Sequence, residues 1–173
     1  MNCIVWFNGP SAKKLHNIDK KFTEIGCNHI RKDRAVDYVC VYDPRTKSEI
    51  DIEDGVKYYA RNGAYDETFM EITYPMANQP GNSGMLAILL ACKLGYKNIY
   101  LIGCDWGISL DSIYQQHYKV KANFKHTNDM KVLLNNWIND YRVNITAISD
   151  EVPDLQIPVL KTEKFLRVLA DAK

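Results

Sequence analysis

The sequence predicts a single doubly wound α/β domain, with a mainly parallel sheet and helices on both faces. Three observations carry that expectation. Short runs rich in β-formers alternate with helical stretches. Asn98 to Gly103 (NIYLIG) is a continuous apolar strand of the kind buried on both sides in a parallel sheet. Met130, Leu133, Leu134, Trp137, Ile138 and Tyr141 follow the i, i+3, i+4, i+7, i+8, i+11 spacing of an amphipathic helix.

Taken in order, Cys3 to Phe7 is a short apolar run stopped by Asn8-Gly9-Pro10-Ser11, which suits a buried strand ending in a tight turn. Ser11 is then placed to cap a helical turn through Leu15. A second strand reaches Cys27, and Ala35 to Asp43 (AVDYVCVYD) is a third that closes at Asp43-Pro44. From Arg45 to Asp66 the chain is polar and only weakly periodic, with a helix expected over Glu53 to Arg61. Phe69 to Tyr74 reads as a strand. The helix Met85 to Leu94 is apolar on nearly every side, so it should be buried, and Gly95 should end it. Val143, Ile145 and Ala147 alternate as a strand, and Thr162 to Ala170 forms a last helix.

A length of 173 residues suits one domain, spanning 1–173, and no repeat or linker divides it. Lys plus Arg (22) balances Asp plus Glu (21), which points away from a general nucleic-acid or membrane binder. The five cysteines lie mostly in apolar runs without C-x-x-C pairing, as buried free thiols of a reducing compartment do. The four histidines lack ligand spacing, so no metal is expected. The opening MNCIVWFNGP has neither a basic leader nor a long apolar run, so a cytoplasmic protein is expected, with His16 and His117 at the surface. A homo-oligomer is compatible with so short a chain.

In a doubly wound sheet, ligands bind beyond the carboxyl ends of the strands. Four polar turns fall there: Asn8 to Ser11, Asn28-His29, Asp43 to Arg45, and Asp105-Trp106 after Gly103. Asn82-Ser83-Gly84 opens the buried helix, where first-turn amides and the helix dipole suit a phosphate or carboxylate. Each has a plainer reading: Asn8-Gly9-Pro10 as a turn, Asn82 to Gly84 as a helix cap, Asp105 as a turn-capping carboxylate. Neither G-x-x-x-x-G-K-[ST] nor G-x-G-x-x-G occurs. The segment HYKVKANFKHTND, with His117, Lys119, Lys121, Lys125 and His126, reads either as a solvated basic loop or as a lid.

Together, N-G-P-S at Asn8 to Ser11, Cys27-Asn28-His29, Asn78-Gln79 with Ser83-Gly84, the run Gly95 to Asp105, and His126 to Asp129 resemble the small bacterial sialyltransferases. They also look like a wider set of often phage-encoded proteins with the same Rossmann-like core, and like hydroxymethylpterin diphosphokinases. The resemblance implies a site for a nucleotide sugar, CMP-sialic acid in characterised members, used without a metal or other cofactor, with a glycan or small hydroxyl acceptor. Carried over, Asn8, Gly9, Asn28, Ser83 and Gly84 would hold nucleotide and phosphate, with Asp43 and Gly103 beside them and His126 as general base. Pro10, Ser11, His29, Asn82 and Trp106 complete the candidate binding set, and Asp105 joins His126 as a catalytic candidate. The family's arginine between N-Q and S-G is replaced by Pro80, and its tyrosine two residues after the strand-ending aspartate by Gly107. The implied activity is glycosyl transfer. A diphosphokinase using ATP and Mg²⁺ and a non-catalytic nucleotide-sequestering module are the two alternatives.

Overall fold

Alternation along the first strand, β1 (Asn2–Trp6), sets up the two faces of the sheet: Cys3, Val5 and Phe7 enter one core, Ile4 and Trp6 the other. The computed structural model describes residues 1–63, 66–73, 81–106 and 127–172. Within them lie β2 (Thr23–Cys27), β3 (Tyr38–Val41), β4 (Lys57–Arg61), β5 (Phe69–Ile72), β6 (Asn98–Ile102), β7 (Asn144–Ile148) and β8 (Val159–Leu160). All pair in parallel, in the order β5-β4-β3-β2-β1-β6-β7-β8. The predicted doubly wound, Rossmann-like α/β architecture is the one observed.

A four-residue turn of helix, α1 (Pro44–Lys47), follows β3, and three longer helices are α2 (Ser83–Lys93), α3 (Thr127–Tyr141) and α4 (Thr162–Asp171). Every residue of α2 from Ser83 to Cys92 is buried, as its nearly all-round apolar sequence requires. It ends at Gly95, whose φ of +83° suits a residue without a Cβ. Met130, Leu133, Leu134 and Trp137 of α3 enter the same core. The opposite face is covered by Phe165 and Leu169 of α4 and by two 3-10 segments, Pro10–Leu15 and Asn28–Lys32.

Two expectations change. The helix expected over Glu53 to Arg61 is strand β4: Tyr58 and Ala60 alternate with more exposed neighbours, a period of two, and β3 offers its free edge for pairing. His16 is half-buried rather than at the surface, its ring edge-on to Trp6 at 5.8 Å between centroids. The two-residue edge strand β8 carries too little sequence to be recognised by pattern. All five cysteines are free and buried, and burial pushes the Cys92 thiol up to about 12. No helix among the described residues is long and apolar enough to cross a membrane.

The second core contains an ion pair. Glu24 is wholly buried in β2, and the Arg34 guanidinium donates to both its oxygens, the Nε to Oε2 at 2.5 Å. Trp6 Nε1 donates to the same Oε2 at 2.9 Å, and the guanidinium lies 4.7 Å from the Trp6 ring centre. Arg34 Nη1 also donates to the carbonyls of His16 (2.7 Å) and Ile18 (2.8 Å), fastening the end of the first crossover.

Glu24→Ala, which leaves Arg34 buried without its anion, should cost about 3–5 kcal/mol in urea unfolding. Adding Arg34→Met to Glu24→Ala should recover a substantial part of that loss; a double variant no more stable than the single one contradicts the account. Burial holds His16 below the usual imidazole range, so its neutral form is favoured in the fold. The unfolded chain therefore takes up the proton first. Stability is intact above about pH 6.5 and declines as pH falls from there towards the folded value. Thermal unfolding between pH 8 and 5 should show a decline that His16→Asn flattens.

Candidate functional site

The order of strands reverses between β1 and β6, because successive crossovers run outward from β1 on one side and from β6 on the other. Beyond their last ladder partners the two strands stay joined. Phe7 N donates to the Ile102 carbonyl at 2.8 Å, and Gly9 N to the Gly103 carbonyl at 2.9 Å. A Cβ at Gly9 would sit 2.4 Å from both the Gly103 oxygen and an Asp105 carboxylate oxygen, so only glycine permits the approach.

Asp105 then closes the junction. Buried just past β6, it accepts from Ser11 N at 2.8 Å through Oδ2 and from the Ser11 hydroxyl through Oδ1. Ser11 does not cap the Pro10–Leu15 turn as expected; its hydroxyl points to Asp105, which anchors the start of that turn from 94 residues away. The Trp106 ring meets Phe7 edge-on at 6.3 Å, and its carbonyl accepts from Asp154 N at 2.6 Å. Burial, reinforced by the adjacent Asp105, pushes the Cys104 thiol well above its ordinary range, so it stays a neutral packing group.

The second cluster gathers around Ser83. Asn28, in the left-handed region at φ +50°, accepts from the Ser83 hydroxyl at 2.7 Å, and that oxygen accepts from Tyr42 N at 2.9 Å. One side chain thus ties the turns after β2 and β3 to the amino end of α2. Asn82 caps α2 by accepting from Met85 N at 2.9 Å, and its amide nitrogen reaches the Met130 sulfur at 3.4 Å, binding α3 to the same corner. A Cβ on Gly84 would lie 1.9 Å from the Phe7 ring, so this glycine lets α2 seat directly on the end of β1. Phe7 therefore touches both clusters.

The remaining candidates lie along the same rim. Asn8 is half-buried, with its side-chain oxygen shielded from solvent. Asp43 accepts from Thr46 N at 3.0 Å through its carbonyl and opens α1. His29 is buried, its Nε2 3.9 Å from a Glu49 carboxylate oxygen. His126, Asn78, Gln79, Pro80, Gly107 and the rest of the basic segment before α3 lie outside the described residues.

Among the described residues, two hollows open on this rim. The larger, about 200 Å³, includes Pro10, Ser11 and Asp105 from the junction, with Lys14, Asp150 and Glu151 opposite. The smaller, about 80 Å³, takes in Asn28 and His29 beside Arg31 and Lys32, with Asp51 and Glu53 opposite and Arg31 paired to Glu53. The candidates thus share one edge of the sheet but divide between two hollows. Lys14 pairs with Asp150 at 3.1 Å, and this contact, with the Thr162 amide, holds the Asp150 carboxyl below the usual carboxylate range. Sequence reasoning missed Lys14, Tyr42, Ser149, Asp150 and Glu151. For the last three a signal existed, since Ser149-Asp150-Glu151 follows β7 as Asp105 follows β6. Among the described residues, no group of three or more His, Cys, Asp or Glu is placed to hold a metal ion.

No protein-family profile matches the chain, and no curated protein sequence does. Among solved structures it is similar to the apo form of an alpha-2,3-sialyltransferase from Campylobacter jejuni, with 18% identity and a TM-score of 0.58 over 90% of this chain and 80% of that one. It is also similar to the sialyltransferase CST-II in complex with a trisaccharide acceptor and CMP, with 15% identity and a TM-score of 0.54 over 85% and 80%. At such identities the likeness establishes a shared fold.

The junction makes a direct prediction. Gly9→Ala should lower stability by about 1–3 kcal/mol through overpacking, and Ser11→Ala by about 1.5–3 kcal/mol through loss of a hydrogen bond to a buried carboxylate. Chemical denaturation reads both; a Gly9→Ala protein as stable as the parent would contradict the close approach.

Proposed function

We propose that this protein is a nucleotide-sugar-dependent glycosyltransferase of the sialyltransferase-like kind, taking a CMP-activated donor and a hydroxyl acceptor at the carboxyl rim of its sheet. The observation that carries the reading is the meeting, around Phe7, of the turns after β1 and β6 with the amino end of α2, which itself gathers the turns after β2 and β3. That is the crevice where a doubly wound sheet receives nucleotides. Because one scaffold hosts many chemistries, the shared fold with proteins solved with CMP supports the ligand class and leaves the activity to be tested.

In this reading Asn8, Gly9 and Asn28 bind the nucleotide, and Ser83-Gly84 present the positive end of α2 to its phosphate. His126 precedes α3 directly in the chain. It removes the acceptor proton as the hydroxyl oxygen bonds to the anomeric carbon; the bond from that carbon to the phosphate oxygen breaks, and CMP departs with the electron pair. Donors around the phosphate stabilise the leaving charge, so the reaction runs without a metal. Asp105 acts through its hold on Ser11, as a positioning residue.

Binding and turnover test this separately. CMP at a hundredfold over its dissociation constant should stabilise the fold by about 2.7 kcal/mol, ahead of ATP. His126→Ala should slow CMP release from a CMP-sugar donor by about 10²–10⁴-fold while leaving CMP affinity near the parental value. Equal turnover in both proteins removes His126 as the base. Turnover of ATP that requires Mg²⁺, with no response to CMP, assigns the chain to the diphosphokinase class instead.

A further inference from the structure

The larger hollow, on the β7 side of the strand reversal, includes residues that none of the family-like motifs contain. At about 200 Å³ it is smaller than the roughly 300–1,000 Å³ that receives a whole drug-sized ligand, so it has room for one ring of a nucleotide and not the whole. Its charge excludes the phosphate. Among the described residues, Asp105, Asp150 and Glu151 line it against a single cation, Lys14, which Asp150 already holds. Positive potential lies instead at the amino end of α2, since in the smaller hollow Asp51 and Glu53 balance Arg31 and Lys32 and Arg31 is paired with Glu53.

The three carboxylates have different duties. Both oxygens of Asp105 accept from Ser11, and those of Asp150 from Lys14 and the Thr162 amide. Glu151 is fixed through its backbone, whose N–H donates to the Ser149 hydroxyl at 3.2 Å, while its carboxylate makes no hydrogen bond or ion pair among the described residues. Pro10 and Ile148 supply apolar surface for a ring.

We infer that this hollow receives the heterocyclic base of the nucleotide and that Glu151 selects a base bearing an exocyclic amine, cytosine over uracil. The inference rests on the nucleotide reading above. An ionised carboxylate only accepts hydrogen bonds, so it pairs with the amino group of cytosine and repels the carbonyl that uracil presents at the same position.

Calorimetric titration of the full chain with CMP and with UMP tests it, in the parent and in Glu151→Gln, whose amide both donates and accepts. Glu151 is exposed, so the exchange leaves the core untouched, and a thermal melt verifies the fold. The parent should prefer CMP by about tenfold or more, and Glu151→Gln should bring the two within about threefold, mainly by tightening UMP. Equal binding of CMP and UMP by the parent overturns the base assignment and leaves the nucleotide reading standing. A preference that survives in Glu151→Gln overturns the role of Glu151. Failure of both nucleotides to bind overturns this inference and the nucleotide reading together.

Discussion

The constraint on which the rest depends is the register of β1 against β6. Trp6 lies opposite Ile102, and the pairing continues past the ladder through Phe7 and Gly9 until Asp105 takes hold of Ser11. A strand buried on both faces tolerates no slip, because a shift of one residue exchanges the faces of every side chain. In this register Phe7 points towards Gly84 and Trp106, while Trp6 points to the opposite core and donates to Glu24. The rim and the buried ion pair are therefore two consequences of one alignment.

That alignment also explains the chemistry available at the rim. Glycine at position 9 brings the chain after β1 within a hydrogen bond of Gly103, and glycine at position 84 brings a helix onto Phe7. Small residues placed where large ones pack allow turns far apart in sequence to converge. The convergence is electrostatically divided: carboxylates gather between β1 and β7, and the positive end of α2 lies towards β2 and β3. A ligand with a neutral, donor-rich part and an anionic part matches such an edge in one orientation only.

The residues most visible in the sequence turn out to hold the rim together. Asn82 caps α2 and holds Met130; Asp105 anchors a distant turn; Ser83 relays between Asn28 and Tyr42. The plain reading of each motif, as a cap or a turn anchor, is the one its hydrogen bonds bear out. A binding rim needs side chains held by their own hydrogen bonds before a ligand arrives. The Glu24–Arg34 pair went unnoticed because neither residue stands in a motif, and Glu24 gains its meaning only when Trp6 and the first crossover close over it.

By itself the sequence determined the α/β class, most strands, and the helices α2, α3 and α4, because hydrophobic period and turn residues are local properties. It also placed the candidate residues at strand ends, since in a parallel sheet those ends share one edge. Only the tertiary structure decided that residues 57–61 form a strand, because pairing with β3 outweighs a weak local preference. It likewise decided that Ser11 turns to Asp105 and that Asp150 and Glu151 face Lys14 across a hollow. Those contacts join residues tens of positions apart, and what brings them together is the order of the strands.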